Sequence, residues 1–336
     1  MRKTFKIAAG LTISVLLLAM IGCEQGNNGG PVFLDPSSGN NSGSNRPNPS
    51  TSPAVNEHLA AQAGLEKLTY HIGPIDLPAG TSADKLLAQP LSMNFQLTAP
   101  MWVIGFEPKV VNAQGDELPA TLLHHAKLLN AHEENPLCPN SGKGNPFAVS
   151  SSLLTNVSLP AGYGYPLLPS DPVEAEVVLH NPGQESYIDV FFEITLLAKP
   201  MNEFVALKDV AAMLVDFEPC ANQPLEVEPE SLREESATYS IEEGGNLIFA
   251  HGVLQDYGVA VQLKKKDEIN PFWRADAKLD SEHQILDLLD NPFADPAGIP
   301  FAKGDNITVG AIYDNFSKSW LHAASAGAMI YLARDE

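Results

Sequence analysis

The chain has 336 residues and carries 20 Lys+Arg against 41 Asp+Glu, a formal charge of −21. A surface that acidic repels phosphate backbones and anionic headgroups, which excludes nucleic acid as a partner. With 44% hydrophobic residues, the chain has enough apolar material for more than one core.

The N-terminus reads MRKTFK and then IAAGLTISVLLLAMIG, a charged n-region followed by an apolar h-region. The run closes on MIGC. Small or apolar residues ahead of a cysteine resemble the bacterial lipoprotein signal, in which Cys23 becomes the lipidated first residue of the mature chain. A plain signal peptide or a membrane anchor is the alternative, but the run is short and its flanks are wrong for a spanning helix. Residues 1–22 are thus expected to be a leader. Residues 23–53, dominated by Gly, Asn, Ser and Pro, are expected to be a disordered tether, because they cannot bury enough apolar surface to offset their ordering entropy. The resemblance implies attachment to a membrane through Cys23, in a bacterial cell envelope. An Asp after the cysteine is the usual inner-membrane retention signal in enterobacteria, so Glu24 favours the outer membrane. Loss of Arg2, Lys3 and Lys6 with the leader leaves 17 Lys+Arg against 41 Asp+Glu, a charge near −24. In an oxidising compartment the remaining pair, Cys138 and Cys220, reads as a disulfide, with a thiolate metal ligand as the alternative.

Beyond residue 54 helical periodicity is scarce. AVNEHLAAQAGLEKL suggests one short helix; SEHQILDLLDNPF suggests another, or a loop with a helical turn. The rest is a series of short Val-, Ile-, Phe- and Leu-rich runs: LSMNFQL, MWVIGFEPKVV, EAEVVLH, YIDVFFEITLLA, NLIFAHGVL, GVAVQLK, ITVGAIY and GAMIYLA. Pro, Gly, Asn and Asp punctuate them, which predicts an all-β chain of sandwiches or jelly rolls. In YIDVFFEITL, Ile188, Val190, Phe192 and Ile194 fall on one face of a half-buried strand. No internal repeat is visible. A polar, Pro-rich stretch near 200–235 predicts a boundary: an N-terminal jelly roll at 54–205, a linker at 206–235 and a C-terminal jelly roll at 236–336.

Several chemistries are missing as motifs. There is no G-x-S-x-G, H-E-x-x-H, P-loop or post-strand G-x-G-x-x-G. The carboxylates of HEEN (132–135) and DLLDNPFAD suit a solvated loop better than a calcium or acid–base site. KKK (264–266) suits a charged strand end that blunts a sheet edge. The unusual feature is LLHHAKLLN, in which His124 and His125 sit side by side in an aliphatic run. On a regular strand their side chains point to opposite faces.

Three further stretches accompany the pair: NPFAVSSSLLTNVSLPAGYGYPL (145–167), EAEVVLHNPGQESYIDVFFEITL (174–196) and GGNLIFAHGVLQDYGVAVQL (244–263). With the ending GDNITVGAIYDN…SAGAMIYLA, they occur in the same order as in the copper type II, ascorbate-dependent monooxygenases. That superfamily includes the peptidylglycine hydroxylating and dopamine β-monooxygenases. LPAGYGY is most similar to its bacterial and plant nodulin-like stress-upregulated members. The resemblance spans roughly residues 70–335.

It implies two tandem eight-stranded jelly-roll domains packed side by side, each with one copper. The first copper takes a His-His pair and a later His, which implies His124, His125 and His180 here. Neutral imidazoles suit copper in either oxidation state. The second copper, where oxygen is activated, takes His-x-His, often within GHLHDGG, plus a Met. Here the stretch runs Gly252, Val253, Leu254, Gln255, Asp256, Tyr257, Gly258, so Val253 and Gln255 stand at the two ligand positions. Valine has no donor atom, and a Gln oxygen is a poor ligand for copper(I). Met329 and His251 remain as candidates for a rearranged second site, although a Met in an apolar strand is more often core packing. The expectation is therefore an envelope protein that holds one copper and is not a competent hydroxylase. The alternatives are a copper-dependent oxidase or monooxygenase with a rearranged second site, and a metal-free structural module.

Overall fold

The computed structural model describes residues 64–82, 90–202, 205–217, 220, 225–266 and 268–334. The leader, Cys23, the tether and most of the first expected helix lie outside them; the last three residues of that expected helix, Glu66–Leu68, open a strand.

The chain is all-β. Its first half holds β1 (Glu66–Leu77), β2 (Leu91–Phe95), β3 (Met101–Val111), β4 (Leu123–Glu134), β5 (Gly144–Ser151), β6 (Val157–Ser158), β7 (Tyr163–Leu167), β8 (Val173–Leu179) and β9 (Tyr187–Pro200). Its second half holds β10 (Lys208–Asp216), β11 (Leu225–Val227), β12 (Ser231–Ser240), β13 (Gly245–Leu254), β14 (Gly258–Lys265), β15 (Trp273–Leu279) and β16 (Ile285–Leu289). It continues with β17 (Phe293–Phe301), β18 (Asn306–Asn315), β19 (Leu321–Ala324) and β20 (Ala326–Arg334).

The first half pairs as β1-β9-β3-β7 and β2-β8-β4-β5, with β6 a short piece beside β3. The second pairs as β10-β20-β13-β17 and β12-β18-β14-β15, with β16 added at the edge. Each is the strand order of an eight-stranded jelly roll. The two jelly rolls join edge to edge, because β10 pairs in parallel with β7 at Lys208–Tyr163 and Asp209–Gly164. One sheet thus runs through both, and residues 52–336 form one compact unit.

Where a linker is expected at 206–235, the structure has β10, β11 and the start of β12; the second jelly roll begins at β10. The reason lies in the packing. Val210, Ala212 and Leu214 of β10 belong to the first core, and Met213 and Val215 to the second. β13 and β20 do the same: Phe249, Val253, Met329 and Tyr331 face the first core, Ala250, Leu254, Ala328 and Ile330 the second. A sheet covered on both faces reads as a continuous apolar run without alternation.

Two other expectations change. SEHQILDLLDNPF contains β16, entered and left through positive-φ residues, His283 and Asp290, so it is a strand between turns and not a helix. On β9, Val190, Phe192 and Ile194 are buried, but Ile188 is 72% exposed. Asp189 takes φ 49° and the β1–β9 register shifts there, which turns Ile188 outward.

The two halves repeat one device that no motif announces. Asn181 follows β8 and Asn315 ends β18, strands at the same place in the two jelly rolls; both are fully buried. Asn181 Nδ2 donates to the carbonyls of Leu77, Pro78 and Glu185 at 2.9, 3.1 and 2.7 Å, and its Oδ1 accepts the Gly183 N–H. Asn315 Nδ2 donates to Val227, Glu228 and Ser319 at 3.1, 2.9 and 2.9 Å, and its Oδ1 accepts the Ser317 N–H. Each closes its own loop and ties it to a second chain segment at one end of its sandwich. Asn181→Leu and Asn315→Leu are each expected to destabilise by about 2–4 kcal/mol in urea unfolding, because the carbonyls stay buried without a donor. A cost below about 0.5 kcal/mol, the level of an ordinary surface change, would show the tie to be dispensable.

Candidate metal centre at the domain seam

β4 follows a single 3-10 turn, Ala120–Leu122. Its register against β8 pairs Leu123 with Leu179 and then His125 with Val178, so His124 is the extra residue of a β-bulge. A bulge turns consecutive side chains toward one side. The two imidazoles consequently meet instead of parting: their Nδ1 atoms are 2.7 Å apart, with ring centroids 5.0 Å apart. Contact at that distance places a proton on one nitrogen and a lone pair on the other.

His180 lies just past β8, its backbone N–H bonded to Leu122 O at 2.9 Å. Its ring is edge-on to His124 with centroids 5.5 Å apart. The Thr121 backbone is a hydrogen-bond partner of the His180 ring. The Asn181 tie holds this loop in place from the next residue.

Two of the three imidazoles, His125 and His180, are held toward the neutral, ligating form. Burial, reinforced by His124, Lys127 and His180, holds His125 well below the usual imidazole range. Burial also lowers His180, against the raising effect of its bond to Thr121. Two nitrogens sharing an ion at about 2.0–2.1 Å stand about 3 Å apart, close to the separation of the two Nδ1 atoms. Among the described residues, no group of three or more His, Cys, Asp or Glu is preassembled around one point. The pair is placed, and the third imidazole is one ring away.

Two hollows flank the pair. A cleft of about 430 Å³ is lined by His124, His180, Asp256, Tyr257 and Trp320 among others. On the other side a hollow of about 40 Å³ is lined by His125, Lys127, Ser151, Asp216 and Val253. Gln255 borders both, and its Nε2 donates to the His124 carbonyl at 2.5 Å. The glutamine at the expected second-site position is thus a tie from the second jelly roll to the bulge of the first. Val253 is packed into the first core.

Met329 and His251 are direct register partners across β20 and β13. Both are buried, at 0% and 2% exposure, and both face the first jelly roll. His251 Nδ1 contacts Asn291 Nδ2 at 3.5 Å. Cys138 and Cys220 are joined by a disulfide with Cα atoms 5.2 Å apart, linking the β4–β5 connection to the β10–β11 connection across the seam. A closure of 82 residues contributes about 4–5 kcal/mol in the chain-entropy picture. Sequence reading missed Asn181 and the role of Gln255; an Asn directly after the third histidine was the available signal for the first.

No family model and no curated protein matches the chain. Among solved structures, it is similar to PBCV-1 VP54 as fitted into a reconstruction of the virophage Sputnik, at 7% identity over 80% of this chain and 93% of that one, with a TM-score of 0.28. It is also similar to A223, a turret protein of Sulfolobus turreted icosahedral virus, at 12% identity over 80% and 97% of the two chains, with a TM-score of 0.16. Likeness at that level carries no argument about function, so the copper monooxygenase resemblance rests on the motifs quoted above.

Burial pushes His251 from its ordinary 6.5 down to about 4. The unfolded chain then binds its proton more readily than the folded one. The contribution of neutral His251 is complete above about pH 6.5 and is lost as pH falls toward 4, by about 3 kcal/mol in all. Urea unfolding of wild type and His251→Leu between pH 4 and 7.5 is expected to give a stability difference that shifts by that amount in favour of the variant at low pH. A pH-independent difference would refute the buried neutral imidazole.

Proposed function

We propose that this chain is a lipid-anchored protein of a bacterial cell envelope that holds one copper ion through His124, His125 and His180 and does not hydroxylate a substrate. The observation that carries the reading is the bulge, which brings the Nδ1 atoms of two adjacent histidines to 2.7 Å. Bound copper would supply a stored electron or a sequestered ion. The residues around it do the rest. Thr121 orients His180, burial keeps His125 and His180 neutral, and Gln255 ties the second jelly roll to the bulge.

Two features of the second jelly roll support the part of this reading that excludes hydroxylation. Val253 has no donor, and the Gln255 amide is engaged with a backbone carbonyl. The opposed pair His251–Met329 favours the alternative, a copper-dependent, ascorbate-using monooxygenase or oxidase with a rearranged second site. That pair lies buried within the seam, where a substrate has no approach.

Elemental analysis after copper loading and exhaustive dialysis separates these readings. One copper per chain is expected in wild type, with loss in His124→Ala and in His180→Ala. Two coppers with ascorbate-driven oxygen uptake would establish the alternative. No retained copper would leave the histidines as a structural feature.

A further inference from the structure

We infer that the cleft beside His124 and His180 binds a neutral carbohydrate, with Trp320 as the surface on which a sugar ring lies. The inference goes beyond the copper reading and does not require the metal. Trp320 is 46% exposed, an unusual state for so large an apolar ring. It stands immediately before β19, two residues from His322, so both side chains leave the same side of an extended segment. Their rings lie 16° from parallel with centroids 6.5 Å apart. The stacked pair stands at one wall of the cleft, with Trp320 as its large exposed ring.

Three polar groups of the cleft present fixed acceptors. Asp256 Oδ1 accepts the Ile285 N–H at 2.9 Å, which fixes the carboxylate and leaves Oδ2 for a ligand. Gln255 spends its Nε2 on the His124 carbonyl and keeps Oε1. The Thr81 hydroxyl donates to Pro78 O at 2.7 Å and keeps its lone pairs. Fixed acceptors beside an aromatic face call for a ligand rich in hydroxyl donors with an apolar C–H face, which is a sugar. Among the described residues no Lys or Arg lines the cleft, and the chain is strongly acidic, which disfavours anions. Among the described residues the cleft holds several hydrogen-bonding groups and one carboxylate, Asp256, which favours a neutral polyol over an organic cation.

The test uses metal-free protein, so its outcome is independent of copper binding. Titration calorimetry is run against neutral hexasaccharides of glucose, mannose, xylose and N-acetylglucosamine, with galacturonate and glucosamine hexamers as charged probes. Saturable binding of at least one neutral oligomer is expected, weakened about tenfold or more by Trp320→Ala and largely retained by Trp320→Tyr. Because Trp320 is exposed, both variants should melt like wild type, which separates lost binding from lost folding. Three results would overturn the inference: no binding of any neutral oligomer at millimolar concentration, equal binding by Trp320→Ala, or tighter binding of either charged hexamer.

Discussion

The structure depends on one sheet that is buried on both faces. β10, β20 and β13 form the inner sheet of the second jelly roll, and their other face closes the core of the first. Neither sandwich is complete without it. Two hydrogen bonds cross this seam: Tyr331 Oη donates to Phe147 O at 2.7 Å, and Asn145 Nδ2 donates to Ala212 O at 3.0 Å. The disulfide spans the same seam. A junction that is apolar, hydrogen-bonded and covalently stapled leaves little room for hinge motion, so groups presented on either side of it keep their relative positions.

That rigidity gives the bulge on β4 its meaning. A strand alone separates adjacent side chains; an inserted residue, His124, places both imidazoles on one side. The arrangement costs desolvation of polar rings and is stable because each ring has a neighbour of matching chemistry. His124 meets His125, and His180 meets Thr121. From the second jelly roll, Gln255 reaches the backbone of the same bulge. The seam thus carries a side-chain-to-backbone hydrogen bond between the two jelly rolls.

Much of the fold was legible from local pattern. Short β-branched runs between turn residues predicted strands, and most of the quoted runs are strands. The linker was misread because VAAMLVD alternates on neither face: it is buried on both, and its Pro-rich neighbours hid it. The helix read in SEHQILDLLD failed because an edge strand with Leu286 and Leu289 exposed imitates helical spacing. The repeat went unseen because what repeats is a topology and a buried Asn, not a string of residues. The histidine pair was legible as an anomaly, but its convergence was not, since a bulge is a register relation between strands distant in sequence. Asp256 and Trp320 share a cleft only through the fold of the second jelly roll.

The central claim is that the bulge turns two adjacent histidines toward a single ion together with His180. Electron paramagnetic resonance of the copper(II)-loaded protein counts the coordinated nitrogens directly. Three imidazole nitrogens in wild type, falling to two in His125→Ala, are expected. A nitrogen count unchanged in His125→Ala, or no protein-bound copper signal in wild type, would contradict the claim.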